Sequence, residues 1–222
     1  MREGKARSKP AAPALNSVTG AILAGGVGRR LGRDKATVLL GGVPLARRVA
    51  AALSPVVSDC WLVTNHPRRH LALGLPLVTD LRPAQGPLGG LEAALFYARS
   101  PWVLAAAVDN PFMAPALLAA LAARAAGTRC PAVVCRSPRG LEPFPGLYAV
   151  RLLPRLQEFL RRERRPQLFL NVCPALVLGP EEVATLDPEG RSFFNLNTPE
   201  DLQQAQAWLA AGVGDAASGG IP

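Results

Sequence analysis

Residues 17–35 read SVTGAILAGGVGRRLGRDK, in which an apolar run the length of one strand ends at two glycines. Nearly continuous apolar character over so few residues is typical of a strand that is buried on both faces. The second half of the stretch combines glycines with arginines and a lysine. Glycines let the main-chain N–H groups approach phosphate oxygens closely, and the basic side chains supply countercharge. We therefore predict a buried strand that leads into a phosphate-binding loop.

Short apolar runs alternate with helical patterns along the rest of the chain. Strands are predicted at 60–64, 75–79, 102–108 and 132–135, and helices at 45–53, 88–98 and 115–126. This alternation indicates a doubly wound, mostly parallel α/β sheet. Residues 139–150 are interpreted as a strand pair or an excursion from the sheet. Thr198, followed by Pro199 and two acidic residues, predicts the start of the last helix.

Charge is unevenly distributed over the 222 residues. The net charge is +9, and residues 17–150 hold 14 basic residues against six acidic ones. Such a field attracts a polyanion, either nucleic acid or a nucleoside triphosphate. With 49% hydrophobic residues the chain can bury a sizeable core, and no apolar run is long enough for a membrane span. The basic N-terminus lacks the apolar segment of a secretory signal, which predicts a cytoplasmic protein.

Domain limits follow from composition. We expect one domain at 17–211, a disordered basic tail at 1–16 and a flexible tail at 212–222.

His66 and His70 would share the face of a helix, but Pro67 and the arginines between them argue against a helix. No metal site is expected at these histidines.

The segment at 25–35 fits neither of two common phosphate-binding motifs. A P-loop requires Gly-Lys-Ser/Thr, whereas Lys35 is preceded by Asp34 and followed by Ala36. The dinucleotide fingerprint requires Gly or Ala where Leu31 stands. Lys35 is nevertheless the only lysine outside the N-terminal tail, which makes it a strong candidate for a functional residue.

Two of the few acidic residues, Asp80 and Asp109, follow predicted strands. Because parallel strands bind ligands at their carboxyl edge, both are expected beside the glycine-rich loop. Asp109 comes after seven apolar residues, so its carboxylate needs a partner. That partner is either a phosphate-bound Mg²⁺ or the turn ahead of Pro111. The small residues at 86–90 open the next helix and suit either a flat base or close helix–sheet packing.

Five motifs occur in order along the chain. They are Leu-Ala-Gly-Gly-x-Gly-x-Arg-Leu-Gly-x-Asp-Lys at 23–35, Thr-Asp at 79–80, Gly-Pro-Leu-x-Gly at 86–90, Asp-x-Pro at 109–111 and Phe-x-Asn-x-Asn-Thr-Pro-Glu-Asp-Leu at 193–202. Over about residues 18–209 the set resembles the bacterial molybdenum cofactor guanylyltransferases of the nucleotidyltransferase superfamily. The resemblance implies a Rossmann-like three-layer sandwich of the glycosyltransferase-A type. It also implies Mg²⁺-dependent transfer of GMP from GTP to molybdenum-loaded molybdopterin, with release of pyrophosphate.

The resemblance further assigns residues to roles. The residues that it places against GTP are Leu23, Ala24, Gly25, Gly26, Lys35, Asn65, Asp80, Gly89 and Asp109. Lys35, assisted by Arg30, would neutralise charge that develops at the α-phosphate. Asp109 would hold Mg²⁺ and take part in catalysis, with Asn195 or Asn197 closing the site and Asn197 the second metal ligand. The implied partners are GTP, molybdopterin, and molybdenum cofactor insertion proteins or molybdoenzyme chaperones.

Three other functions stay open at this point. The nearest alternative is a CTP-dependent cytidylyltransferase that acts on the same pterin. Because such relatives carry alanine at the position of Gly26, the glycines Gly26 and Gly89 favour guanine as the base. Sugar-1-phosphate nucleotidyl transfer needs a larger acceptor region than this chain offers. A basic nucleic-acid-binding protein is disfavoured because aromatic residues are only 5% and do not interleave with a basic patch. The arginine-rich run at 161–165 is more typical of a solvated helix end.

Overall fold

The computed structural model describes residues 18–24, 34–82 and 85–212. The predicted N-terminal tail and nearly all of the predicted C-terminal tail lie outside the described residues. The same holds for three predicted site residues of the glycine-rich loop, Gly25, Gly26 and Arg30. The domain limits at 17–211 therefore stay a prediction.

The described part of the chain contains nine strands and eight α-helices. The strands are β1 (Val18–Leu23), β2 (Leu39–Leu40), β3 (Val43–Pro44), β4 (Asp59–Val63), β5 (Leu77–Val78), β6 (Trp102–Ala107), β7 (Ala132–Ser137), β8 (Gly140–Ala149) and β9 (Ala175–Leu178). The helices are α1 (Leu45–Leu53), α2 (Pro67–His70), α3 (Gly86–Tyr97), α4 (Pro115–Ala123), α5 (Leu153–Leu160), α6 (Pro166–Val172), α7 (Pro180–Leu186) and α8 (Pro199–Ala210). None of these helices is long and apolar enough to cross a lipid bilayer.

Seven strands form one sheet in the order β5-β4-β1-β6-β8-β7-β9. Neighbouring strands are parallel except at β8, which runs antiparallel to both β6 and β7. In the centre, Leu23 at the end of β1 pairs with Val63 on one side and Ala107 on the other. The carboxyl ends of β1, β4, β5, β6 and β7 consequently share one edge of the sheet.

Helices cover both faces of the sheet and make a three-layer sandwich. Helices α1, α4, α7 and α8 pack on one face, where Ile22 of β1 belongs to the apolar core. Helices α3, α5 and α6 pack on the other face, where Ala21 of β1 belongs to a second core. Successive residues of a strand point to opposite faces, so a strand between two helical layers must be apolar throughout. The predicted α/β fold with a mostly parallel sheet is confirmed.

Each predicted strand and helix is present, with ends that differ by at most three residues. Two expectations need correction. Residues 139–150 form one long strand inside the sheet, β8, and no excursion. A one-turn helix, α2, does connect the two histidines, because Pro67 stands in its first turn, where the missing N–H is not needed. No bounds had been predicted between residues 151 and 192, where α5, α6, β9 and α7 lie.

Candidate active site

The carboxyl end of β1 is held between its two neighbours by main-chain hydrogen bonds. Val108 N donates to Leu23 O at 3.2 Å, and Ala24 N donates to Val63 O at 2.9 Å. Asp109 follows one residue after Val108, so the end of β6 is brought beside the start of the glycine-rich loop. Leu23 and Ala24, both predicted to contact GTP, therefore stand next to the position of Asp109.

Lys35 lies between two of the predicted site residues. Its Nζ donates to Asp109 Oδ2 at 2.6 Å and to Asn197 Oδ1 at 2.5 Å. The side chains of Lys35 and Asp109 are only 13% and 19% exposed. A charge-assisted contact in such a partly desolvated position holds the ammonium group more firmly than a surface ion pair would. The sheet edge thus has a lysine in a defined place, braced by two oxygen acceptors.

Asn197 is positioned by the beginning of α8. Thr198 caps this helix: its hydroxyl accepts from Asp201 N, while Asp201 Oδ2 accepts from the N–H groups of Asn197 at 2.9 Å and Thr198 at 2.8 Å. Burial alone would raise the pKa of Asp201. The hydrogen bonds from Asn197 and Thr198, together with the charge of Lys35, outweigh burial and lower that pKa. The local signal that predicted the helix start therefore also fixes the backbone of a site residue.

Asn195 has a different task from Asn197. Its side-chain oxygen accepts from Asn110 Nδ2 at 3.1 Å, and the same nitrogen lies 3.3 Å from Phe194 O. Asn110 is only 2% exposed. It ties the segment before α8 to the end of β6, and Leu196 N donates to Asp109 O at 2.9 Å in the same region. Of the two asparagines considered from sequence, Asn197 is the one that reaches Lys35, and Asn110 is a structural residue that sequence analysis did not assign.

A second polar pair forms where β4 and β5 end. Asn65 Nδ2 donates to Asp80 Oδ2 at 2.7 Å. The other carboxylate oxygen, Oδ1, is buried and has no hydrogen-bond partner among the described residues. Burial raises the pKa of Asp80, the hydrogen bond from Asn65 lowers it, and the nearby charge of Glu92 raises it, with a raised pKa as the result. One oxygen of this carboxylate is thus oriented by Asn65, and the other is a buried acceptor without a partner among the described residues.

Two glycines at the start of α3 lie beside Asp80 in closely packed surroundings. A Cβ at Gly89 would lie 2.4 Å from Gln85 Cβ, which excludes any side chain in this conformation. A Cβ at Gly90 would lie 3.2 Å from Leu23 Cδ2 and 3.8 Å from Asp80 Oδ1. Only Gly89 of these two is a residue predicted to contact GTP. Gly90 lies beside the same carboxylate, and its place at the end of Gly-Pro-Leu-x-Gly was the signal that could have identified it.

The oxygen donors around Lys35 have the chemistry of a site for a hard divalent cation. The carboxylate of Asp109 and the amide oxygen of Asn197 face a common point, since both lie within hydrogen-bond distance of one nitrogen atom. Mg²⁺ prefers such ligands and usually completes its shell with phosphate oxygens and water. Among residues 18–24, 34–82 and 85–212, no group of three or more His, Cys, Asp or Glu side chains could hold a metal ion. The residues therefore fit a cation shared with a phosphate ligand and not a metal enclosed by protein.

A lysine held between two oxygen donors at the carboxyl edge of this three-layer sheet suits the binding of a nucleotide's phosphates, the chemistry of an α/β nucleotidyltransferase. The sequence profile of the MobA-like NTP transferase domain matches residues 20–174. The chain belongs to that family, and the resemblance seen in its motifs is confirmed.

Individual relatives agree with this assignment over nearly the whole chain. The probable molybdenum cofactor guanylyltransferase of Chloroflexus aggregans is 36% identical over 202 residues, which cover 89% of this chain and 97% of the relative. The molybdenum cofactor guanylyltransferase of Desulfosudis oleivorans is 31% identical over 200 residues, covering 89% and 98%. The crystal structure of molybdopterin-guanine dinucleotide biosynthesis protein A from Archaeoglobus fulgidus superposes with a TM-score of 0.76 at 29% identity, covering 87% and 99%.

Proposed function

We propose that this chain transfers GMP from GTP to molybdenum-loaded molybdopterin, with Mg²⁺, and releases pyrophosphate. The observation that carries the proposal is the contact of Lys35 with Asp109 and Asn197 beside the end of β1. The similarity to guanylyltransferases along nearly the full chain supports the choice of nucleotide and acceptor. The positive charge of residues 17–150 supports it further, because both substrates are polyanions.

The chemical step needs alignment and neutralisation of charge. A phosphate oxygen of the acceptor attacks the α-phosphorus of GTP, and the bond from that phosphorus to the bridging oxygen of the β-phosphate breaks. The bonding electrons leave with pyrophosphate. Lys35 neutralises negative charge on the α-phosphate oxygens, and its contacts with Asp109 and Asn197 keep the ammonium group in the site until a ligand arrives. Asp109 and Asn197 would hold Mg²⁺ here, and the cation would supply further neutralisation of the phosphate charge.

Asp80 supports guanine as the base. Its unpartnered Oδ1 is an acceptor, while Asn65 occupies Oδ2 and fixes the orientation of the carboxylate. Guanine carries adjacent N–H donors at N1 and at its amino group, which match a carboxylate. Cytosine places an acceptor at N3, which a carboxylate repels.

Nucleotide titration followed by a transfer assay tests the proposal. GTP, CTP, ATP and UTP are titrated into the purified chain with and without Mg²⁺, and molybdopterin is then added with radiolabelled GTP. We expect preference for GTP, stronger with Mg²⁺, and formation of a labelled dinucleotide. Preference for CTP would transfer the assignment to a cytidylyltransferase. Absence of any nucleotide preference, together with a salt-sensitive shift of DNA or RNA on a gel, would overturn the proposal in favour of nucleic-acid binding.

A further inference from the structure

His70 is a buried histidine that contacts the residue before Lys35. Its side chain has no exposed surface, and Nε2 lies 2.8 Å from Asp34 Oδ2. A carboxylate only accepts hydrogen bonds, so Nε2 must carry the proton in this contact. Burying an imidazole is costly unless it makes hydrogen bonds, and Nδ1 has no partner among the described residues. The contact with Asp34 is therefore what compensates the burial of His70.

Asp34 in turn holds the turn that begins with Lys35. Its second oxygen, Oδ1, accepts from Ala36 N at 3.1 Å, and its main-chain oxygen accepts from Thr37 N at 3.1 Å and from Thr37 Oγ at 3.0 Å. Residues 35–37 form a short 3₁₀ turn, and Ala36 is fully buried in it. The direction in which the Lys35 side chain leaves the backbone depends on this turn.

A continuous path of contacts thus joins α2 to the centre of the site. It runs from His70 to the carboxylate of Asp34, through the turn, and along the Lys35 side chain to Asp109 and Asn197. A hydrogen bond to one carboxylate oxygen stops the carboxylate from rotating, which keeps the other oxygen on the N–H of Ala36. Without that restraint, Asp34 and the start of the turn gain freedom, and the ammonium group of Lys35 moves from its position.

We propose that His70 is a positioning residue for Lys35, acting through the oriented carboxylate of Asp34. This inference rests on the proposed function in taking Lys35 as the phosphate-neutralising group. His70 itself touches neither the nucleotide-facing acceptors nor Lys35, so its effect on the reaction must pass through Lys35.

Three substitutions distinguish a positioning role of His70 from a role in which its side chain only fills space in the core. His70→Phe keeps a ring of similar size but removes the donor, while His70→Gln keeps an N–H donor. His66→Phe is the matched control, because His66 starts the same one-turn helix and is exposed. We expect His70→Phe to lower kcat for GMP transfer roughly 10- to 100-fold, His70→Gln to restore most of it, and His66→Phe to leave it unchanged.

The same substitution in a Lys35→Ala background is the decisive comparison. If His70 acts through Lys35, His70→Phe causes no further loss once the lysine is absent. An equal additional loss in that background, or failure of His70→Gln to restore kcat at unchanged melting temperature, would overturn the proposal. Should His70→Phe not fold, Asp34→Asn alters the same hydrogen bond from its other side without loss of volume, and the same loss of kcat is expected.

A spectroscopic measurement keeps this test independent of the proposed function. The chain has only three lysines, Lys5, Lys9 and Lys35, so labelling with ¹³C-lysine gives three Cε–Hε signals. The Lys35 signal is identified by its loss in Lys35→Ala. We expect His70→Phe to shift that signal and His66→Phe to leave it in place. If the wild-type chain transferred no GMP, the proposed function would fail while this shift would still decide the role of His70; an unshifted signal would overturn that role.

Discussion

Two polar clusters share the carboxyl edge of the sheet, and they differ in how their charge is balanced. Lys35 and Asp109 neutralise each other, and Asn197 adds a second acceptor to the lysine. Asp80 has only the neutral amide of Asn65 as a hydrogen-bond partner within the described ranges, and one of its oxygens is unsatisfied. When a ligand arrives, the residues of the first cluster must exchange their contacts with one another for contacts with the ligand. In the second cluster, Asp80 only has to accept hydrogen bonds from donors of the ligand.

This difference indicates which part of a nucleotide each cluster suits. A lysine among oxygen donors suits phosphates and a cation. The ammonium group can bind phosphate oxygens, and the oxygen donors can bind the cation. A partly desolvated carboxylate with one free oxygen suits a base that offers N–H groups. Substitutions in one cluster are therefore expected to change the rate, and substitutions in the other to change the choice of nucleotide.

Lys35→Ala has the largest expected effect. Removal of the cation that we propose faces the α-phosphate should lower kcat by about 10²- to 10³-fold, the magnitude seen when one preorganised group that stabilises transition-state charge is lost. Steady-state kinetics of GMP transfer measure the change, with circular dichroism to verify folding. Lys35→Arg keeps the charge but alters the geometry and should recover only part of the rate. A wild-type rate in Lys35→Ala would remove this residue from the mechanism.

Asp109→Asn tests the cation role of the same cluster. The substitution removes a charged oxygen donor, so we expect roughly a 100-fold loss of activity that higher Mg²⁺ concentrations partly restore. Asp59→Asn, at the exposed start of β4, is the matched control and should not change the Mg²⁺ dependence. A variant that only weakened GTP binding, with an unaltered response to Mg²⁺, would contradict a metal role for Asp109.

Asp80→Asn tests the second cluster. Loss of a charged acceptor proposed for the guanine N–H groups should weaken GTP binding by about 1.5–3 kcal/mol, or roughly 10- to 150-fold, while CTP binding changes little. Isothermal titration with both nucleotides measures the preference. An equal loss of affinity for GTP and CTP would mean that Asp80 does not read the base.

The raised pKa of Asp80 predicts a pH dependence. If the carboxylate form of Asp80 accepts hydrogen bonds from guanine as proposed, GTP affinity should fall as pH decreases through this raised pKa, at a higher pH than for an ordinary aspartate. The GTP phosphates titrate in the same way with wild type and with Asp80→Asn. The variant should therefore lose only the part of the pH dependence of GTP affinity that Asp80 contributes. The stability of the fold depends on pH in the opposite direction. The folded state binds the proton of Asp80 more tightly than the unfolded chain does, so stability declines as pH rises from the ordinary pKa of 3.8 through the raised pKa of the folded state.

Thr198→Ala has the smallest expected effect. It removes the cap of α8, which should lower the free energy of unfolding by about 1 kcal/mol in a urea titration. Thr198→Ser keeps the hydroxyl and should restore most of this stability. Equal stability of wild type and Thr198→Ala would show that Asp201 alone secures the start of the helix.

Local patterns in the sequence predicted most of the sheet. The apolar runs at 17–24 and 102–108 predict buried strands, because a strand between two helical layers needs apolar side chains on both faces, and the structure has strands at 18–23 and 102–107. Thr198 and Pro199 predicted the beginning of α8 because a cap depends only on the next few residues. No local pattern predicts element bounds for residues 151–192, because the elements there are short: α5 to α7 are helices of seven or eight residues.

By itself, the sequence determined the strands, the capped helix and the order of the motifs, since each depends on residues close together along the chain. The tertiary structure decided that Asn197, and not Asn195, reaches Lys35 across a separation of 162 residues, and that His70 lies against Asp34. It also decided that Gly90, like Gly89, lies beside Asp80. These contacts depend on the position of β1 between β4 and β6 and on the return of the segment before α8 to the carboxyl edge of the sheet. No local pattern specifies either arrangement.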